Sequence, residues 1–194
     1  MKKILVLFYY VLNSIRFIPH IVVLYLSKNT ILWDDAKFWM KCFGKEWGGV
    51  LSIFKLLIDH REFRSLFYYR IRIAKLFSFL APGQTNLYIC TPNIGKGLFI
   101  HHGFSTVISA KSIGEYCWIN QQVTIGHTVQ GSPVIGNNVL IAAGAIVVGG
   151  ITVEDNVTIG AGTTVNKSIP ANSLVVGAKP RILENNNRHP MDCL

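Results

Sequence analysis

Residues 134–165 read VIGNNVLIAAGAIVVGGITVEDNVTIGAGTTV, and an aliphatic residue recurs there at every sixth position. These positions are Ile135, Ile141, Val147, Val153, Ile159 and Val165. The same spacing occurs earlier in the chain, at Ile113, Ile119 and Ile125. An amphipathic helix has a period of 3.6 and a half-buried strand has a period of two, so neither produces this pattern. A six-residue period indicates a repeat protein.

A hexapeptide repeat predicts a coiled architecture. Each hexapeptide supplies one short strand and one turn, and three of them close a triangular coil whose inward aliphatic side chains stack into an apolar column. Glycine or asparagine at the turns permits positive φ. The predicted fold class is therefore mainly β, a parallel β-helix of about four coils over residues 94–170. Residues 1–80 are predicted to be helical, including an amphipathic helix over 63–80.

The repeat is interrupted between Ile125 and Ile135, where the chain carries a four-residue excess. The excess must leave the coil as a loop within residues 127–134. Insertions on repeat proteins often line the binding face. A second, one-residue irregularity lies between Ile100 and Ile113.

The net charge of +9 is concentrated in the first part of the chain. Residues 1–83 hold thirteen Lys or Arg against five Asp or Glu, whereas residues 84–194 hold six against five. The aromatic residues of the basic part are not interleaved as stacking platforms, so nucleic acid is not the expected partner. An anionic membrane surface fits better, because the same segment is also the most apolar.

Two short apolar runs, residues 4–12 and 21–26, begin the chain. Each is too short to span a bilayer, and polar residues separate them. Two interpretations stay open: core helices that pack on the β-helix or at a subunit interface, or a helix lying in the membrane interface. We expect a basic, apolar helical segment over residues 1–83, the catalytic β-helix over 84–181 and a C-terminal tail over 182–194.

The four cysteines are far apart and show no C-x-x-C spacing, so neither a disulfide framework nor a zinc site is expected. This usage favours a reduced, cytoplasmic setting, with the chain peripheral on the cytoplasmic face of the membrane if the N-terminal segment binds there.

The repeat and the preceding stretch GKGLFIHHG, residues 95–103, resemble the serine acetyltransferase-like branch of the hexapeptide-repeat acetyltransferases. The resemblance covers residues 86–183. The strings REFRSLFYYR, residues 61–70, and RFIPH, residues 16–20, are similar to those of capsule- and polysaccharide-associated members. The resemblance implies a left-handed β-helix, acetyl-CoA as co-substrate, no metal, and a homotrimer with active sites between subunits.

The resemblance places the catalytic histidine at His102. A neutral imidazole would accept the proton of the acceptor hydroxyl as the oxygen attacks the thioester, which suits a group that titrates near neutral pH. His101, His127 and Ser132 are candidate substrate contacts. A zinc site formed by His101, His102 and His127 is not expected, because adjacent strand residues point to opposite sides.

The resemblance also implies a set of acetyl-CoA contacts. Small residues would let the pantetheine arm lie along the backbone, and two cations near the end of the repeat would meet the CoA phosphates. The candidates are Ala142, Ala143, Gly144, Gly160, Ala161, Lys179 and Arg181. An alternative for the small residues is that they merely fit the corners of the β-helix.

The chain departs from the serine-specific pattern at two places. Residues 86–90, which match the stretch that orients the family's catalytic histidine, contain no carboxylate. Gly131 and Ser132 stand where the family has the Arg-His pair that holds the carboxylate of serine. We therefore predict an O-acetyltransferase acting on a sugar of a cell-surface polysaccharide or its precursor. The alternatives are a serine O-acetyltransferase of cysteine biosynthesis and a non-catalytic β-helical assembly protein.

Overall fold

The computed structural model describes residues 2–178, and side chains from Phe8 onwards. The described chain begins with five α-helices and one 3₁₀ helix: α1 (Lys2–Ile15), α2 (Ile18–Ser27), α3 (Thr30–Cys42), α4 (Val50–Asp59), α5 (Arg61–Arg70) and the 3₁₀ helix (Arg72–Phe77). The single amphipathic helix predicted over 63–80 is therefore wrong. Helix α5 ends at Arg70, where Ile71 leaves helical geometry with φ −124° and ψ 85°.

Fourteen short strands follow: β1 (Leu87–Ile89), β2 (Asn93–Ile94), β3 (Phe99–Ile100), β4 (Thr106–Ile108), β5 (Ser112–Ile113), β6 (Trp118–Ile119), β7 (Thr124–Gly126), β8 (Val134–Ile135), β9 (Leu140–Ile141), β10 (Ile146–Val148), β11 (Thr152–Val153), β12 (Thr158–Ile159), β13 (Thr164–Val165) and β14 (Leu174–Val175). They form three parallel sheets. Sheet A has the order β1-β4-β7-β10-β13, sheet B has the order β2-β5-β8-β11, and sheet C has the order β3-β6-β9-β12-β14.

The chain visits sheets A, B and C in turn, so each round of three strands makes one coil of a parallel β-helix. This confirms the fold predicted from the hexapeptide repeat. Sheets A and C each contain five strands, which makes about five coils, one more than predicted. The estimate was short because the coils extend beyond residues 94–170 at both ends, from β1 to β14.

The core of the β-helix is the column of sixth-position residues. In sheet C, Ile100 pairs with Ile119, Ile119 with Ile141, and Ile141 with Ile159. All four side chains are at most 1% exposed. Close stacking also sets the composition of the corner between sheets B and C, where a Cβ added to Gly114 would lie 2.6 Å from the Gly136 carbonyl carbon. Burial of this column is the main apolar contribution to the stability of the β-helix.

Helices α3 and α5 are bound to the first coil by a buried ion pair. The Asp35 carboxylate accepts hydrogen bonds from Arg70 Nε at 2.8 Å and from the amides of Gly97 and Leu98 at 2.7 and 3.0 Å. Arg70 in turn donates to the carbonyl of Ile94. Burial raises the pKa of the Asp35 carboxyl, and the Arg70 guanidinium and the two amides oppose that rise. The ion pair therefore fixes the turn that leads into β3.

Helix α2 is held by a buried histidine. Tyr68 donates its hydroxyl proton to the Ala81 carbonyl at 2.6 Å, so the hydroxyl oxygen accepts from His20 Nε2 at 2.8 Å. His20 is 0% exposed. Burial lowers the pKa of His20 to about 4, because the charged imidazolium would lose its hydration. This part of the helical segment therefore requires a neutral imidazole.

Among residues 2–178, no single helix is both long enough and apolar enough to cross a bilayer. The helical stretches Phe8–Ile15 and Ile18–Ser27 satisfy that length and composition together, with a bend of 61° between them.

Candidate active site

The corner between β3 and β4 is larger than the corners stacked on it. Ile100 pairs with Ile119, and Ile108 pairs with Ile125. The chain therefore takes eight residues from Ile100 to Ile108, whereas the next coil takes six from Ile119 to Ile125. We call residues 101–105 the histidine corner. Three of its residues have positive φ: His102 at 65°, Gly103 at 60° and Ser105 at 52°. The two additional residues push the chain outward and place His102 in solvent.

His101 and His102 are stacked, with ring centroids 4.0 Å apart. The expectation that their side chains point to opposite sides is therefore wrong, because both residues follow the end of β3 and His102 has a positive φ. His101 is half-buried and packs on Phe99 and Trp118, whereas His102 is exposed. Burial, followed by the neighbouring His102, lowers the pKa of His101. His101 therefore favours the neutral form and gives His102 an aromatic, weakly polar support. The exposed imidazole of His102 is the one that can meet a substrate.

A carboxylate reaches this corner from helix α5. An added Cβ on Gly103 would lie 3.1 Å from the Glu62 Cβ, so the first turn of α5 packs directly on the histidine corner. The Glu62 side chain is only 13% exposed and lies 3.4 Å from His60 Nδ1. Its negative charge opposes the lowering of the His101 pKa. Glu62 was not predicted, because the resemblance placed the orienting carboxylate within residues 86–90. One signal was present: Glu62 is the only acidic residue between Asp59 and Glu115.

The predicted acetyl-CoA contacts stack on the histidine corner along the axis of the β-helix. The His101 amide donates to Ile119, the Ala142 amide to Ile159, and the Gly160 amide to Val175. Ala142, Ala143 and Gly144 therefore lie at the same corner two coils beyond the histidines. Gly160 and Ala161 lie one coil further. Nothing lies within 4 Å of a Cβ added to Gly162, so the corner is open on its outer side. Lys179 and Arg181 lie outside the described residues.

The predicted loop is present, but the structure does not bring it to the histidine corner of the same chain. His102 lies just before a strand of sheet A begins, at the corner between sheets C and A. Residues 127–133 follow β7, where a strand of sheet A ends, at the corner between sheets A and B. Reciprocal hydrogen bonds between the amides and carbonyls of Thr128 and Gly131 close the loop, and Val129 is fully exposed at its tip. His127 and Ser132 therefore lie at the opposite ends of the sheet A strands from His102.

Among the described residues, no group of three His, Cys, Asp or Glu side chains could hold a metal ion. His127 lies across sheet A from His101 and His102, so these three side chains cannot act together within one chain.

Comparisons with known proteins agree with this architecture. Residues 132–167 match the family model described as bacterial transferase hexapeptide (six repeats). A serine acetyltransferase of Synechococcus elongatus is 39% identical over 137 residues, covering 67% of this chain and 56% of the relative. A serine acetyltransferase of Staphylococcus xylosus is 39% identical over 153 residues, covering 73% of this chain and 67% of the relative.

One solved structure, a serine acetyltransferase in complex with CoA, superposes with a TM-score of 0.63 at 22% identity. It covers 85% of this chain and 74% of that one, and at this identity it supports the fold. The chain spans 56% and 67% of the lengths of the two curated relatives.

Proposed function

The chain belongs to the hexapeptide-repeat transferases, in the group that contains the serine acetyltransferases, and we propose that it is an acyltransferase that moves an acetyl group from acetyl-CoA to an acceptor hydroxyl. The observation that carries the proposal is the histidine corner. It holds an exposed imidazole on the same edge of the β-helix as the small residues Ala142, Ala143 and Gly144, which lie two coils further along.

His102 is the proposed general base. It takes the proton of the acceptor hydroxyl while the oxygen forms a bond to the thioester carbonyl carbon, and the carbon–sulfur bond then breaks. The CoA thiolate leaves and is protonated by the imidazolium, so the base is regenerated. Backbone N–H groups at glycine-bearing turns would stabilise the oxyanion. No acyl-enzyme intermediate is needed.

Glu62 is proposed to replace the carboxylate that orients the catalytic histidine in the family, which the stretch matching residues 86–90 lacks here. A negative charge beside the stacked histidines stabilises the imidazolium that forms when His102 accepts a proton. Glu62 is well placed for this because it is largely buried, where Coulomb interactions are weakly screened.

Acetyl-CoA is proposed to lie along the column formed by residues 142–144 and 160–161. The absence of large side chains there leaves room for the pantetheine arm against the backbone, and Lys179 and Arg181 remain candidates for the phosphates. We also propose a homotrimer. The 127–133 loop of one subunit would then approach the histidine corner of the next, which would bring His127 and Ser132 to the site.

L-serine is the first acceptor to test, because both curated relatives are serine acetyltransferases. A sugar hydroxyl is the second candidate, and a specific observation favours it. The 127–133 loop contains neither Arg nor Lys, so it offers no permanently charged group for the carboxylate of an amino acid. A neutral hydroxyl needs no such cation. The similarity to capsule-associated members stays a prediction, as does a cytoplasmic location.

The test is CoA release measured with a thiol reagent, with L-serine and a set of sugars as acceptors. Turnover with serine alone supports serine acetylation, and turnover with sugars alone supports the second candidate. His102→Asn should lower turnover about a hundredfold or more. Asparagine tolerates the positive φ at this position, so the variant should melt at the temperature of the wild type.

Two results would contradict the proposal. A His102→Asn variant with near-normal turnover would remove His102 from its role. A chain that releases no CoA and shows no thermal shift with acetyl-CoA would favour a non-catalytic assembly protein.

A further inference from the structure

Helix α2 is apolar on both of its sides. One side, formed by His20, Val23 and Leu24, is buried against the helical segment. The opposite side carries large apolar side chains that are 50% to 76% exposed: Ile18, Val22, Tyr25 and Leu26. A helix that is apolar all round is normally buried all round, because leaving such side chains in water forgoes their burial energy. The outer side of α2 therefore exposes to water apolar side chains that an apolar partner surface would normally cover.

Exposed apolar side chains also occur on the neighbouring helices. On α1, the exposed residues are Phe8, Val11, Leu12 and Ile15, which recur at helical spacing. The opposite side of α1 is attached to the protein by a hydrogen bond from the Tyr10 hydroxyl to Asp59. The 3₁₀ helix, which packs against α2, exposes Ile73 and Leu76 three residues apart, the spacing that aligns side chains in this helix type.

The charge of this segment indicates what covers it. The first acidic residue of the chain is Asp34, whereas Lys2, Lys3, Arg16 and Lys28 precede it. The 3₁₀ helix adds Arg72 and Lys75, both exposed. A second copy related by a two-fold axis would bring these cations against like charges. An anionic lipid surface supplies both the opposite charge and an apolar layer.

We infer that the outer sides of α1 and α2 bind an anionic membrane surface, with their inner sides packed on the protein. Helix α2 lies in the interfacial layer with Ile18, Val22, Tyr25 and Leu26 toward the acyl chains. The exposed cations Lys28, Arg72 and Lys75 lie at the level of the headgroups. This inference is independent of the proposed acetyl transfer, because it rests on the helical segment alone and its test measures no turnover.

The test is flotation of the full-length chain with vesicles of phosphatidylcholine containing 30% phosphatidylglycerol, about the mixture that gives a strongly negative surface. The wild type should float with these vesicles and stay in solution with pure phosphatidylcholine. Binding should weaken when the salt concentration is raised from 0.1 to 0.5 M, because the Debye screening length then falls from about 10 Å to about 4 Å. Lys28→Asn, which suits the positive φ of that residue, should weaken binding about fivefold.

The decisive variant is Val22→Glu with Leu26→Glu, which places two charges on the outer side of α2 without touching its buried side. It should lower vesicle binding at least about tenfold, because two charges must enter the interfacial layer. Leu174→Glu is the matched control. Leu174 is 69% exposed, similar to Leu26, but lies in the last coil of the β-helix, and its variant should bind like the wild type.

Light scattering without vesicles tests the other possibility, that a second copy of the chain covers this surface. If the double variant changes the oligomeric mass while the wild type binds no vesicles, the surface contacts another copy and the inference is overturned. Equal binding of the double variant and the Leu174→Glu control would overturn it as well. Unchanged mass with selective loss of vesicle binding supports it.

Discussion

The Asp35–Arg70 ion pair offers the sharpest test of how the helical segment holds the β-helix. Asp35→Asn keeps the size of the side chain and an oxygen that can still accept from the amides of Gly97 and Leu98. It removes the negative charge that pairs with Arg70, whose side chain is only 5% exposed. The perturbation is therefore one uncompensated, buried guanidinium.

The expected magnitude follows from that burial. Breaking a buried ion pair by removing one partner costs about 3 to 5 kcal/mol, because the remaining charge stays in a poorly solvated place. Since the amide bonds to the side-chain oxygen survive, we expect the lower end, about 3 kcal/mol. That is a large part of the about 5 to 15 kcal/mol that stabilises a typical domain.

Urea denaturation followed by tryptophan fluorescence measures this loss. Trp39 is a suitable reporter because its indole Nε1 donates to the Leu98 carbonyl at 2.7 Å, in the same turn. The matched control is Asp59→Asn, since Asp59 is exposed and accepts one hydrogen bond from Tyr10. The control should lose at most about 1 kcal/mol. The two variants should be compared at one protein concentration. Similar small losses for both would refute the role given to the ion pair.

Two further predictions concern stability. The pKa of His20 falls from its ordinary 6.5 to about 4 in the folded chain, so between these values the unfolded chain binds more protons. Stability is then fully present above pH 6.5 and decreases by about 3 kcal/mol as the pH falls to 4. His20→Gln, which can keep the bond to Tyr68, should remove this slope in urea titrations at pH 7 and 5; an unchanged slope would contradict the assignment. Gly114→Ala should cost about 1 to 3 kcal/mol, because its Cβ would meet the Gly136 backbone. Gly126→Ala, with its nearest contact at 3.7 Å, is the control, and equal melting temperatures of these two variants would argue against close stacking at the corner.

The fold was predictable because its determinant is periodic. Ile119, Ile141 and Ile159 belong to the aliphatic residues that recur at a fixed spacing in the sequence, and each of them is buried as expected. The loop after β7 was predictable for the same reason, since an excess of residues must leave a regular coil. The number of coils was less certain because the first and last repeats carry weaker signals.

The surroundings of His102 were harder to predict, because they depend on contacts between distant parts of the chain. Glu62 and Gly103 are far apart in sequence, and no pattern links the first turn of α5 to this corner. The enlargement of the corner was also concealed. The chain gains two residues between Ile100 and Ile108 but loses one between Ile108 and Ile113, so the sequence shows a net excess of one.

The helical segment also determines where the β-helix stops. Strand edges at the start of such a coil expose backbone groups that could pair with another chain. Here those groups are occupied by side chains: the carbonyl of Thr91 accepts from Tyr69, that of Ile94 from Arg70 and that of Leu98 from Trp39. The helices thus occupy three carbonyls of the first coil, which are then not free to pair with another chain. We therefore expect a fragment without residues 1–83, which exposes these carbonyls, to associate end to end.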